Sequence, residues 1–582
     1  MNTDLITEHL DLWTSAVTYN NGKGRGNNGK PELTGIQKLR ELILELAVRG
    51  KLVPQDPKDE PASKLLERIE GEKARLYKEG KVKKPKKLPE ITEEEKPFKL
   101  PESWRWTRLG YSTTYGDAEK AEPGSVSSDT WVLELEDIEK STSRIVQRHF
   151  GSERNFKSSK NKFWKGDVLY GKLRPYLDKV LVAPENGVCT TEIIPFRGFS
   201  NLSSSYLRWT LKAPYFKDYA TNSTHGMSLP RLGTEKAQKA LIPLPPVNEQ
   251  ERIVEKVNEL MALCDRLEQQ TSDQISAHET LVDTLLDTLT RSQDAAELAD
   301  NWTRLAEHFD TLFTTEHSID RLEQTILQLA VMGRLVQQDP NEEPASKLLE
   351  RIWAEKKRLE KEGKIKKGGK PSEVGKEELS GPIPEGWVAI RFEELAQEIS
   401  TGPFGSMLHK SDYVQNGVPL VNPSHMVDGK IVEDSNAAIK KEKLEELEGY
   451  FLYAGDMVMA RRGEVGRCAL VTEKENGWIC GTGSFILRFH QDISRRYIHF
   501  LFQTYEVRAY LAGESVGTTM TNLNHRILKK MPVMLPPAAE QERIVEKITE
   551  LRALCNRLKD QLVKAGETQR KLAESIVKRA VA

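Results

Sequence analysis

Lys172, Arg174, Tyr176 and Lys179 fall within one short run, GKLRPYLDK, and Arg231 follows in GMSLPRL. Later in the chain Arg461, Arg462 and Arg467 stand in ARRGEVGR, followed by Thr518, Asn522, Asn524, His525 and Arg526 in VGTTMTNLNHR. These runs place polar side chains on turns marked by glycine or proline beside β-like residues, where they project from a sheet. Arginine and lysine can bond a guanine edge, and asparagine can pair with adenine. The chemistry on offer is recognition of a nucleic acid, not bond breaking. GPFGSMLHKSDY, 402 to 413, is a further loop whose glycines would permit close approach.

No catalytic constellation accompanies these residues. The segment 22 to 30, GKGRGNNGK, satisfies both G-x-G-x-x-G (Gly24, Gly26, Gly29) and G-x-x-x-x-G-K (Gly24 to Lys30). A phosphate loop must follow a strand, open a helix and carry Ser or Thr after its lysine, but Pro31 stands there, so the segment reads as a plain loop. Asn422-Pro423-Ser424-His425 comes nearest to the N/D-P-P-Y/F tetrapeptide of adenine methylation and lacks its second proline and aromatic residue, so it reads as a turn. No H-E-x-x-H occurs. The five cysteines, Cys189, Cys264, Cys468, Cys480 and Cys555, form no C-x-x-C or C-x-x-H pair, so neither a disulfide frame nor a zinc site is expected.

Lys plus Arg (86) nearly cancels Asp plus Glu (87), so binding to a polyanion must come from local patches. Such patches exist. Residues 103 to 140 sum to -4 and 141 to 243 to +10; residues 386 to 456 sum to -6 and 457 to 532 to +5. One basic face in each region is expected, as phosphate neutralisation on duplex DNA requires.

The elements that position these regions are repeated. Residues 46 to 69, LAVRGKLVPQDPKDEPASKLLERI, return at 329 to 352, an offset of 283 that runs from Ile36/Ile319 to Trp104/Trp387. LPPVNEQERIVEKVNELMALCDRL at 244 to 267 returns at 535 to 558, an offset of 291. Between these blocks the copies share little beyond Gly166-Asp167 and Gly455-Asp456, so two unlike modules sit in one repeated frame. The frame reads as helical. Ile253, Val257, Leu260, Cys264 and Leu267, and Ile544, Ile548, Leu551, Cys555 and Leu558, make heptad seams that want partner helices. Pro246 and Pro537 suit the first turns of those helices, the first of which is expected to run to about Thr290. Another frame helix is expected from Thr34 or Ser318 to Gly50 or Gly333, with a Thr34–Gln37 capping box. Basic stretches at 81 to 100 and 364 to 383 read as exposed connectors.

The duplicated LPPxxEQxRIVxK and LAVRGKLVPQDPxxEPASKLLERI blocks, with LPESW and IPEGW, closely resemble the specificity subunits of type I restriction-modification systems, and the start looks like the IB subgroup. The resemblance covers nearly the whole chain. It implies an α+β fold: two mixed α/β target recognition domains separated by long, antiparallel, coiled-coil-like conserved helices, with a pseudo-twofold internal repeat. The expected divisions are 1-100, conserved helical region and linker; 101-245, first recognition domain; 246-383, central helical region and linker; 384-537, second recognition domain; and 538-582, last conserved helix. In other members the AVxGxL region closes the chain, so the frame reads here as circularly permuted. The resemblance further implies a non-catalytic subunit that reads a bipartite DNA site, with helix length setting the gap between its halves. Two modification subunits and two restriction subunits would be its partners, no membrane would be involved, and the cytoplasm would be its compartment. S-adenosylmethionine, ATP and magnesium would be used by those partners, with no cofactor bound by this chain. A specificity subunit of a related type II enzyme and a helical scaffold without a DNA role are the alternatives. The modules are the family's variable part, so the reading residues named above rest on local chemistry alone.

Overall fold

The computed structural model describes residues 4–19, 31–80, 88–154, 156, 158–225, 229–369, 371–379, 381–405, 407–464, 466–513 and 523–581. The chain packs into two compact units, Met1–Gln274 with Val563–Ala582, and Ile275–Leu562. Each unit contains one module and one copy of the frame.

In unit one the helix Thr34–Val48 buries Ile36, Leu39, Leu42, Ile43 and Leu46, the face set by its 3.6-residue period. It stops at Gly50, φ +67°, where the Lys51 N–H reaches back to the Leu46 carbonyl (2.9 Å). A Cβ on Gly50 would stand 2.6 Å from Pro101 Cγ, so the cap and the proline of LPESW fit only around glycine. Unit two repeats this: Glu316–Val331 stops at Gly333, φ +68°, and a Cβ there would stand 2.6 Å from Pro384 Cγ.

The starts of these helices depart from expectation. Thr34 is already helical and its hydroxyl donates to the Ala16 carbonyl (2.8 Å), so no Thr34–Gln37 capping box forms. In the second copy Thr315 is the cap; the Ser318 N–H donates to Thr315 Oγ1 (3.1 Å) and the Thr315 N–H to Ser318 Oγ (3.2 Å). The linkers are also less free than expected. Buried Arg108 gathers the carbonyls of Pro89 (2.7 Å), Glu90 (2.9 Å) and Lys239 (2.7 Å) and the Glu95 carboxylate (2.8 Å). Arg391 does the same with Ser372, Glu373, Lys530 and Glu378. A buried guanidinium needs its five donors satisfied, and the linker backbone supplies the acceptors.

Each module is closed at its base by an antiparallel pair. Arg105–Arg108 pairs with Leu241–Leu244 in unit one, and Val388–Arg391 with Pro532–Leu535 in unit two. The outgoing strands run through two prolines into the long helices Val247–Arg291 and Ala538–Val581. Pro246 stands just before the first helical residue, its carbonyl taking the first helical bond from Gln250 (3.0 Å). The heptad seams find partners within each unit. Ile253, Val257, Leu260 and Cys264 share a core with Leu39, Leu46, Ala573 and Ala580, with Leu267 at its margin. Ile544, Ile548 and Cys555 share one with Leu286, Leu289, Ile319 and Leu322, with Leu551 and Leu558 at its margin.

Both modules are mixed α/β, as expected. The first has a three-stranded sheet centred on Val168–Gly171, flanked by Ile193–Phe196 and Val180–Val182. The second has its counterpart centred on Met457–Ala460, flanked by Ser484–Phe489 and Cys468–Leu470, and adds Ala396–Thr401 at one edge. A further sheet in each contains one parallel pair, Trp131–Leu133 with Gly187–Cys189 and Val418–Val421 with Ile479–Cys480. Two helices follow in each: Ser204–Lys212 and Pro214–Asn222, then Arg495–Leu501 and Tyr505–Gly513.

Candidate nucleic-acid interface

The turn between Val168–Gly171 and Val180–Val182 carries most of the residues nominated in module one. Arg174 and Asp178 both lie in the left-handed region, at φ +50° and +54°, on either side of the 3-10 turn Pro175–Leu177. The Arg174 N–H donates to the Pro230 carbonyl (2.7 Å), Leu173 bridges to Arg231, and the Leu232 N–H donates to the Lys172 carbonyl (2.9 Å). Lys172, Arg174, Tyr176 and Arg231 are thus brought together. Arg174 and Tyr176 are exposed, and among the described residues neither they nor Lys172 have a side-chain hydrogen bond or ion pair. Arg231 is tied to Glu192 (3.1 Å), and Lys179 donates to the Leu135 carbonyl (2.8 Å), so these two support the turn from beneath.

Module two makes the same junction. The Leu523 N–H donates to the Arg461 carbonyl (3.0 Å), as Leu232 does to Lys172. Arg461 is turned inward: its Nε donates to the Leu523 carbonyl (3.0 Å) and its guanidinium lies 4.9 Å from the Phe485 ring centroid. Arg467 donates to the Pro423 carbonyl (2.6 Å) and faces Glu464 at 3.6 Å. Asn524 caps the helix His525–Lys530, accepting from the Ile527 N–H (3.1 Å). His525 packs on Phe485 at 5.0 Å, and burial, with Lys529 and Arg461 adding to it, pushes its pKa down. Arg462 and Arg526 are exposed and have no side-chain partner among the described residues. Thr518 and Asn522, like the glycine-rich segment 22 to 30, lie outside the described residues. In the 402 to 413 loop only Gly402 is needed for close approach: a Cβ there would meet the Gly481 carbonyl oxygen at 2.2 Å. Asn422-Pro423-Ser424-His425 is a 3-10 turn.

Sequence reasoning missed what the repeated motif does. Glu249, almost wholly buried, accepts from Trp104 Nε1 (3.0 Å) and Gln55 Nε2 (2.5 Å); Glu540 accepts from Trp387 (2.9 Å) and Gln338 (3.4 Å). Burial pushes both carboxyls up, and the donors oppose it. Gln250 accepts from the Ser203 N–H (3.0 Å) and donates to the Pro245 carbonyl (3.1 Å); Gln541 does so with Ser494 (2.9 Å) and Pro536 (3.1 Å). Arg252 pairs with Asp59 (2.6 Å) and Arg543 with Glu342 (2.8 Å). The E-Q-x-R, Q-D-P and P-E-x-W signatures are one clamp, holding helix, linker and module together. Their recurrence at fixed offsets was the signal. Inside the modules Asp167 and Asp456 share a role as well, accepting from the N–H groups of Trp164 (2.8 Å) and Tyr453 (3.0 Å) and pairing with Arg197 (2.6 Å) and Arg488 (3.3 Å).

A family model described as the type I restriction modification DNA specificity domain matches residues 147–277 and 384–565. The specificity subunit of the type I restriction enzyme EcoAI from Escherichia coli is 39% identical over 598 residues, covering 99% of each chain. This chain belongs to the type I specificity-subunit family. The EcoEI specificity subunit of Escherichia coli is 38% identical over the same span of 598 residues, again covering 99% of each chain. A chain solved in work on complex assembly and conformational transition of the type I R-M system covers 83% of this one and 99% of itself, at TM-score 0.51 and 19% identity, and supports the fold.

A specificity subunit is the DNA-recognition, non-catalytic member of its system. Both Escherichia coli relatives match this subunit from end to end, so they share its order of segments. Among the described residues no helix is long and apolar enough to cross a membrane.

Proposed function

We propose that this specificity subunit binds duplex DNA at a split, asymmetric site, each module reading one half, while the repeated mount carries two modification subunits and, through them, two restriction subunits. The observation that carries this reading is the joining of like mounts to unlike modules: the Glu249 and Glu540 clamps match bond for bond, whereas the turns they support differ. A common mount suits one kind of partner used twice. Unlike turns suit two different half-sites. Lys172, Arg174 and Tyr176 in one module, and Arg462 and Arg526 in the other, are the side chains assigned to the DNA, because they are the nominated ones left without an internal partner among the described residues. Adenine methylation with S-adenosylmethionine, and cleavage with ATP and magnesium, are assigned to the partner subunits, acting with this chain in the cytoplasm.

Selection from randomised duplexes by the complex of this chain with its modification subunit should return a two-part motif. Arg174→Ala should blur one part and Arg462→Ala the other, each losing about 1–3 kcal/mol of discrimination. Loss at both parts from a single substitution would contradict the assignment of one half to each module.

A further inference from the structure

Four residues other than glycine take left-handed backbone around one buried ammonium in module one: Ser141 (φ +63°), Ser143 (+60°), Arg174 (+50°) and Asp178 (+54°). Lys212, the last residue of the helix Ser204–Lys212 and 6% exposed, lies within hydrogen-bond distance of Ser141 O (2.7 Å), Ser143 Oγ (3.0 Å), Asp178 O (3.0 Å) and Asp178 Oδ2 (3.0 Å). The two loops are laced together beside it. Ser143 Oγ donates to the Asp178 carbonyl (2.9 Å) and accepts from the Val180 N–H (3.0 Å), while the Ser141 N–H donates to the Leu177 carbonyl (2.9 Å). Burial pushes the Asp178 carboxyl up and the Lys212 ammonium down, and each partly restores the other's charge.

Module two supplies the control within the same chain. Its corresponding turn, between Met457–Ala460 and Cys468–Leu470, takes left-handed backbone at Gly463 (φ +79°) and Gly466 (+84°), where glycine meets no steric penalty. Counted from the cap serines Ser203 and Ser494, Gln503 stands where module one has Lys212. Left-handed arginine and aspartate therefore persist in module one at positions that glycine can fill. Asp178 has a local reason, its bond to Lys212. Arg174 has none among the described residues: its side chain is exposed and unpaired.

We propose that Lys212 is a positioning residue for DNA reading: with Asp178 it locks the left-handed turn so that the Arg174 guanidinium and the Tyr176 ring are presented ready-formed to duplex DNA. This rests on the reading of the modules as half-site readers. Pre-organisation keeps the cost of ordering the turn out of the binding step, so affinity and discrimination are gained without a contact by Lys212 itself. Asp178 acts through the same bond, and Arg174 makes the contact.

The test uses the full chain with its modification subunit and selection from a randomised duplex library. Lys212→Met alone strands a buried carboxylate, so the informative variant is Lys212→Met with Asp178→Gly, which removes both charges and installs the glycine that module two uses. It should melt near the parent and keep one half of the selected motif. At the other half it should lose information, with affinity for the parent's duplex falling about tenfold. Arg174→Gly, which relieves strain and cannot fail through a buried charge, should lose the same half. An unchanged two-part motif in either variant overturns the positioning role while leaving half-site reading intact, whereas an equal loss at both halves overturns the assignment of one half to each module as well. A parent complex that selects no two-part motif overturns the reading beneath it, and the positioning role with it.

Discussion

Nine residues beyond the cap serine, module one has Lys212 and module two has Gln503, and the surroundings of the two have little in common. Lys212 is sealed in oxygen ligands under the Arg174 turn. Gln503 accepts from Arg552 (2.5 Å) and donates to His499 Nε2 (2.7 Å), beside a cavity of about 190 Å³ lined by Gly429, Arg467, Cys468 and His499 among others. A Cβ on Gly429 would stand 2.4 Å from the His499 ring, so the loop over this cavity is fitted to a neutral, tightly covered imidazole. One turn is thus held by a buried ion pair against strain, whereas the other takes its left-handed positions at glycine. The mounts differ far less, because their partners are other parts of the same repeat. What varies is the interior and the turn of each module, whose partners lie within that module's own unlike sequence.

The sharpest way to break this comparison is to remove the two residues in turn. Lys212→Met leaves Asp178 buried without its cation and should cost about 3–5 kcal/mol. Gln503→Met loses two bonds in a half-open setting and should cost about 2 kcal/mol. Equal losses, read by denaturant midpoints for the two variants, would mean that the buried pair is not the keystone of module one.

The next effect is on pH. Burial, joined by Arg552, Arg508 and Arg496, lowers the His499 pKa from 6.5 to about 4. The unfolded chain takes up this proton near pH 6.5 and the folded chain does not, so stability is whole above pH 6.5 and drains away as pH falls towards 4. The loss is on the order of 3 kcal/mol. Module one has Arg208 at the corresponding place and contributes no such slope. Thermal melts of the parent and of His499→Gln between pH 7 and 4 should therefore converge as the pH drops. Parallel curves would show that the ring is not held neutral.

The frame was readable because repetition exposes it. Gly50 and Gly333, the E-Q-x-R triplets and the heptad residues recur at constant spacing, and each proved to have the same partner type in both copies. The module interiors were not readable, for three physical reasons. Arg461, Arg467 and Asn524 looked like free donors, yet carbonyls and a helix end distant in sequence claim them. Lys212 sits on a helix with other polar residues, and nothing local distinguishes a buried ammonium from a solvated one. Arg174 lies at a backbone angle that its own residue type disfavours, so only the tertiary bonds of Asp178, Lys212 and Pro230 could reveal it.

The finest contrast concerns those left-handed positions. Arg174→Gly removes a side chain that has no internal partner among the described residues and frees the backbone from a conformation that costs an L-residue roughly 1 kcal/mol. It also gives the unfolded chain more freedom, which offsets part of that gain. The net should be a slight stabilisation or none. Gly463→Ala runs the other way: at φ +79° a Cβ is strained, although no neighbouring atom would touch it, so about 1 kcal/mol should be lost. Opposite signs in paired denaturation curves would show that module one carries strain which module two has shed. Were Arg174→Gly instead to destabilise by as much as Gly463→Ala, the arginine would be holding the fold through its side chain, and its retention at a glycine position would need no reader on the DNA side.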